Sequence, residues 1–181
     1  SKLLSIFEGK RFEKDEIYGK QYDVVLFGYH RMGYKIRKAL EDMNLSYVIV
    51  DYNPKLILAL SNNKVDCIYG DASDSEFLKE LNLEKTKLVI STIPELESNL
   101  SIIETLKQLK SKAVFIATTE QPRIAVDLYK RGVDYVIIPQ HLGGNFMGHI
   151  IKKFSINKSK YKRLGEEHFK EIKMNKENSN Y

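Results

Sequence analysis

Cysteine is nearly absent from this chain: Cys67 stands alone among 181 residues. That excludes a disulfide framework and a thiolate metal cluster, and a reducing, cytoplasmic setting is the expectation. Long apolar runs are missing too. Nothing approaches the roughly eighteen consecutive apolar residues of a membrane span, so the chain reads as soluble. The opening residues, from Ser1 to Glu8, lack the apolar region and cleavage site of a signal peptide. With no initiator Met, a processed or excised piece is expected. Histidine is scarce: His141 and His149 have no third partner in the sequence that would make a metal site, so they read as surface or interface residues. There are no short repeats, and no low-complexity tract outside a polar C-terminal tail.

An excess of charge is missing from the middle of the chain. Residues 22–151 carry fifteen Lys and Arg against sixteen Asp and Glu, whereas residues 152–181 carry nine against four. The basic balance therefore belongs to the appendages. A basic tail can touch nucleic acid or anionic lipid, but a solvated terminus is the plainer reading, and no nucleic-acid partner is expected.

What is present is organised around residues 23–51. Asp23-Val24-Val25-Leu26-Phe27 has the composition of a buried strand, broken by Gly28-Tyr29-His30-Arg31-Met32-Gly33. A helical segment follows at 34–43, then the apolar run Ser46-Tyr47-Val48-Ile49-Val50 ending at Asp51. Strand, glycine turn, helix, strand and acid form the first half of a dinucleotide-binding unit. Gly28 suits a sharp turn off the strand, Gly33 a close approach of helix to sheet, and the helix start a seat for phosphate. Asp51 lies eighteen residues after Gly33, near the spacing of about twenty expected for an acid holding ribose hydroxyls. The middle glycine of the usual motif is replaced by His30, which favours a phosphate placed differently from that of a dehydrogenase. Arg31 can supply charge-assisted hydrogen bonds to phosphate. A solvated turn is the bland reading of both residues.

The rest of the chain alternates strands and helices. Strands are expected at 66–69, 87–91, 113–117 and 135–138. Helices are expected from Asn53-Pro54 to residue 61, after a cap at Ser73 or Asp74, over 96–110, over 122–130 and through Phe146 to Phe154. Six strands alternating with helices predict an α/β fold, a doubly wound, Rossmann-like, mainly parallel sheet with helices on both faces. Residues 1–21 read as a linker, 22–154 as the nucleotide-binding domain, and 155–181 as a polar basic tail. The amphipathic stripes of the helices at 96–109 and 146–154 read as core, with a dimer contact as the alternative. Tyr34 and Lys38 match a reductase-like spacing but lie beside the phosphate turn, so that match reads as coincidence.

Gly28-x-x-Arg31-x-Gly33, Val50-Asp51, Gly70-Asp71-Ala72, Asn99 on the helix after strand four, and Arg131-Gly132-Val133-Asp134 together resemble an RCK N-lobe. This is the Trk-type (TrkA-N) nucleotide-binding domain attached to potassium channels and Kef-type cation/proton antiporters. The resemblance covers about residues 22–154. His30 departs from the motif, and no C-terminal RCK lobe follows Phe154, which fits the antiporter branch. The resemblance implies that the turn Gly28, Tyr29, His30, Arg31, Met32 and Gly33 cradles phosphate. It implies further that Asp51, with Tyr52 beside it, holds the ribose, that Asp71 and Ala72 meet the adenine edge, and that Thr92 and Ile93 lie at the switch in strand order. It also implies a homodimer attached to a membrane transporter domain at the cytoplasmic face of the cell membrane. The expected ligand is an adenine nucleotide, AMP in preference to ATP or NAD(H), bound by a non-catalytic regulatory domain. A small NAD-dependent oxidoreductase is the alternative, though the chain is short for a substrate domain. A methyltransferase is less consistent, because residues 135–139 do not read as an antiparallel hairpin.

Overall fold

Apolar residues alternate between two faces along the central strands, and that alternation sets the architecture. The computed structural model describes residues 17, 19–29 and 32–178. The readings of residues 1–16 as a linker, and of His30 and Arg31 as phosphate-turn residues, lie outside the described residues. Six strands, β1 (Val24–Phe27), β2 (Tyr47–Asp51), β3 (Cys67–Tyr69), β4 (Leu88–Ser91), β5 (Val114–Thr118) and β6 (Tyr135–Ile137), form one sheet in the order β3-β2-β1-β4-β5-β6. Every strand pair is parallel. The Rossmann-like α/β fold is therefore the one expected.

Val25 and Phe27 of β1 point into one core with Val48, Val50, Val89, Phe115 and Ala117. Val24 and Leu26 point into the other with Ile49, Ile90 and Cys67. Helices α1 (Gly33–Asp42) and α2 (Pro54–Asn62) cover the second face through Leu40, Leu56 and Leu60. Helices α3 (Ser75–Lys79), α4 (Leu96–Gln108) and α5 (Pro122–Lys130) cover the first through Leu78, Ile102, Leu106 and Leu128. Each fully buried aliphatic or aromatic side chain contributes about 1.5–3 kcal/mol relative to exposure.

Local chemistry fixes the boundaries. The Asn53 side chain accepts from the N–H groups of Lys55 and Leu56 and starts α2 with Pro54 at its first position. Asp74, rather than Ser73, caps α3 by accepting from Glu76 and Phe77. Gly132, at φ +91°, ends the α5 turn in the left-handed region.

The first compact unit ends at Ile138, and Pro139 opens the second. In the second unit, α6 (Pro139–Phe154) begins earlier than its apolar stripe suggests, and residues within the polar tail form α7 (Lys158–Asn178). The ring of Phe154 meets that of Tyr161 edge to face at 5.5 Å. The core reading fits α4, where Ser98, Asn99, Ile102, Ile103, Thr105 and Leu106 are buried. It does not fit α6: only Ile150 is buried, while Leu142, Phe146, Met147 and Ile151 are exposed. The physical difference is that α4 is a crossover between two strands, whereas no strand among the described residues follows α6. Among the described residues, no helix is long and apolar enough to cross a membrane.

Candidate functional site

The strand order reverses its direction of growth between β1 and β4, and the chain leaves both strands at their carboxyl ends there. In register, Phe27 faces Val50 on one side and Ser91 on the other. Gly28 follows at φ +79° and donates its N–H to the Val50 carbonyl at 2.8 Å. Thr92 closes the other flank: its N–H donates to the Phe27 carbonyl at 2.9 Å and its hydroxyl to the Gly28 carbonyl at 3.0 Å. A Cβ on Gly28 would stand 2.6 Å from the Thr92 hydroxyl oxygen, so both the dihedral and the space demand glycine. Gly33 is needed for approach alone: a Cβ there would stand 2.7 Å from the Gly28 carbonyl oxygen. Met32, the residue before α1, contributes no capping side chain, so no cap from that residue engages the first-turn amides.

Asp51 sits at the end of β2 and is only 6% exposed. One carboxylate oxygen accepts from the Tyr29 N–H at 3.0 Å and the other from the Asn53 N–H at 2.8 Å. The acid thus ties the glycine turn to the start of α2. Each oxygen keeps a second lone pair for a further donor. Asp71 is held as a turn former, accepting at Oδ1 from the N–H and the hydroxyl of Ser73, both at 2.8 Å.

Together these segments wall a cleft of about 630 Å³ at the carboxyl edge of the sheet, within the range of about 300–1,000 Å³ usual for ligand sites. Of the expected site residues, Gly28, Asp51, Tyr52, Asp71, Ala72, Thr92 and Ile93 line it. Tyr29, Met32 and Gly33 do not. The Tyr29 ring is instead buried in the core beneath α1, edge to face with Tyr34 at 6.5 Å, and only its backbone amide faces the site through Asp51. Tyr34 accordingly belongs to packing.

Residues not named as site residues from sequence complete the wall: Val50, Asn53, Gly70, Ser73, Pro94, Glu95, Glu97 and Ser98. The usable signal for Glu95, Glu97 and Ser98 was their position at the start of the helix after β4, which the strand reversal brings opposite the β1 turn. Gly70 abuts Phe77, and a Cβ there would overlap the Phe77 ring at 2.1 Å. Asn99 lies fully buried behind the loop after β4, and its amide donates to the carbonyls of Ile93, Glu95 and Thr118 at 2.9, 3.1 and 3.0 Å. The cleft wall presents four carboxylates, Asp51, Asp71, Glu95 and Glu97, and no Lys or Arg among the described residues. Such a wall suits hydroxyls and amino groups as donors and repels anions. Among the described residues no group of His, Cys, Asp or Glu has the arrangement of a metal site.

Comparison with known proteins agrees with this fold. The sequence profile of the TrkA-N domain matches residues 24–139. Potassium channel protein 1 of Methanocaldococcus jannaschii is 30% identical over 123 residues, covering 66% of this chain and 37% of that protein. The glutathione-regulated potassium-efflux system protein KefC of Cronobacter sakazakii is 26% identical over 125 residues, covering 69% of this chain and 18% of that protein. The chain thus spans well under half the length of these relatives. Among solved structures, the TrkA-N domain of the Escherichia coli inner membrane protein ybaL superposes with a TM-score of 0.67 at 19% identity, covering 73% of this chain and 98% of that one. The GsuK channel bound to NAD gives 0.63 at 21%, covering 71% and 23%. The Kef C-terminal domain of Shewanella denitrificans in its AMP-bound form gives 0.62 at 19%, covering 83% and 91%.

Proposed function

Because the chain belongs to the TrkA-N domain family, we propose that it is a cytosolic regulatory domain that binds an adenine nucleotide and biases the transport of a monovalent cation. The observation that carries this reading is the cleft where Asp51, the Gly28 turn and the start of α4 converge at the strand reversal. In it the nucleoside would lie along the acidic wall, its ribose donating to the Asp51 carboxylate and its base toward Asp71 and Ala72. Phosphate would lie at the glycine turn, where α1 begins. AMP is the favoured ligand, with ATP and NAD(H) next. Among the described residues, every lining residue comes from the β1, β2, β3 and β4 side of the sheet, and none from β5 or β6, where the second half of a dinucleotide would rest. The AMP-bound and NAD-bound neighbours support an adenine nucleotide in this fold.

The potassium channel and potassium-efflux relatives support a role in ion transport, either as part of a cation/proton antiporter or of a potassium system, with a membrane domain as partner. They also favour regulation over turnover. Residues 1–21 would link the domain to that partner. The domain would act as a homodimer, and the exposed Leu142, Phe146, Met147 and Ile151 of α6 are the surface that favours pairing. The nucleotide must favour one arrangement of the pair, since equal affinity for two arrangements shifts neither.

Thermal-shift titration with AMP, ATP, NAD, NADH, NADPH and S-adenosylmethionine tests the ligand. Stabilisation by AMP, with NADPH ineffective, is the expected result. Stabilisation by the methyl donor alone, or turnover of NADH, would overturn the reading.

A further inference from the structure

Ser98, in the first turn of α4, is only 7% exposed and lines the cleft. Among the described residues its hydroxyl has no hydrogen-bond partner, yet it is not sealed in as the side-chain oxygen of Asn99 is. A hydroxyl taken that far out of water and left unpaired costs free energy until something in the cleft engages it. Glu97, next to it, also lines the cleft and stands open to solvent, in no ion pair among the described residues.

The direction these two residues face is fixed by their own helix. They lie four and three residues ahead of Ser101, on one side of α4, and the Ser101 hydroxyl donates to the Ser73 carbonyl at 3.0 Å. The start of α4 is thereby held against the turn after β3, whose Asp71 lines the same cleft. Asn99 holds the chain ahead of α4 through the Ile93 and Glu95 carbonyls, so this wall is set before a ligand arrives.

We propose that Glu97 and Ser98 select the base, taking adenine in preference to hypoxanthine or guanine. The role rests on the nucleotide reading above, in which the base lies toward Asp71 and Ala72. An ionised carboxylate only accepts hydrogen bonds, whereas a serine hydroxyl both donates and accepts. Adenine offers the complementary edge, an exocyclic amine as donor beside a ring nitrogen as acceptor. The amine donates to the Glu97 carboxylate, and the Ser98 hydroxyl donates to the ring nitrogen. Hypoxanthine and guanine carry a carbonyl oxygen in place of that amine, so acceptor would face acceptor. Groups left unpaired on both sides make the wrong base costly.

Calorimetric titration of the full chain with AMP and with IMP tests this, because the two ligands share ribose and phosphate. Wild type is expected to bind AMP at least about tenfold more tightly, the scale of one charge-assisted hydrogen bond. Glu97→Gln, whose amide can donate to the carbonyl of hypoxanthine, should tighten IMP and weaken AMP until the two bind alike. Glu104→Gln removes the same charge from an exposed position on α4 outside the cleft and should leave the preference intact. Ser98→Ala should weaken AMP by about tenfold without lowering the ligand-free melting temperature, because the hydroxyl has no partner to lose. A preference unmoved by Glu97→Gln, or an AMP affinity unmoved by Ser98→Ala, overturns the inference. Failure of wild type to bind either nucleotide overturns the nucleotide reading itself; equal binding of both overturns only the role of Glu97 and Ser98.

Discussion

The side-chain amide of Asn99 donates to the carbonyl of Thr118, at the end of β5, at 3.0 Å, although nineteen residues separate them. The same amide reaches back to Ile93 and Glu95. One buried side chain therefore holds the loop after β4 against the neighbouring strand, and that loop is one wall of the cleft.

Asn99→Ala removes the side-chain donor from the Thr118, Ile93 and Glu95 carbonyls, leaving Ile93 the Ser91 hydroxyl and Glu95 the residue 99 backbone N–H, at about 1–3 kcal/mol for a buried group that finds no substitute. The urea midpoint should fall with little change in slope. Asn99→Asp should fall at least as far, because a carboxylate cannot donate to three carbonyls.

Gly28→Ala meets two obstacles, a φ of +79° and a contact of 2.6 Å with the Thr92 hydroxyl oxygen. The backbone strain alone costs about 1–2 kcal/mol. Thr92→Ala removes the second obstacle but not the first. The double variant should therefore lose less stability than the sum of the single changes, measured by thermal melting.

Asp51→Ala strips two backbone amides of their acceptor as well as removing the proposed ribose contact. Its melting temperature should drop without ligand, and the shift produced by AMP should vanish. A retained AMP shift would take Asp51 out of the site.

Asp23 offers a test in acid. Its carboxyl bonds to Lys87 at 2.7 Å and accepts from Ser46. The Lys87 contact first, then Ser46, lowers its pKa from 3.8 to about 2. The folded value lies below the unfolded one, so the stabilisation is complete above about pH 4 and is lost as pH falls through about 2. The gap in urea midpoint between wild type and Asp23→Asn should be present at neutral pH and close over that window.

Cys67 is buried, and burial, reinforced by the nearby Asp66 charge, raises its thiol pKa to about 11. At about pH 8, alkylation should be slow in the native state and rapid in urea, so the rate reports opening of this edge of the sheet. Fast native labelling would show that β3 opens readily.

Element type was legible because each segment had its own local cause. The unbroken apolar run Val24–Phe27 marks a strand buried on both faces, and Asn53-Pro54 marks a helix start. The tail helix was not legible, since residues 158–178 are strongly polar and carry no apolar stripe comparable to that of α4. At the site, Gly28 and Asp51 announced themselves through spacing, but Glu95 and Glu97 reach the cleft only because β4 lies beside β1. Adjacency of that kind is a property of the sheet and not of any short stretch of sequence. The Tyr29 ring was misleading for the opposite reason: a residue inside the glycine turn sends its side chain inward, where Arg37 holds it.

Finally, β1 is four residues long, with Tyr22 and Asp23 just ahead of it and Gly28 just behind. At about 3.3 Å per residue it spans some 13 Å. Lys20 and Tyr22 are fastened to Asp66, at 2.6 and 2.9 Å, at the edge of the sheet opposite the cleft. Hydrogen-bonded along both sides and tightly packed, so short a rod neither stretches nor buckles. Asp66, just ahead of β3, therefore laces the segment entering β1 to the edge strand of the sheet, across the intervening β2.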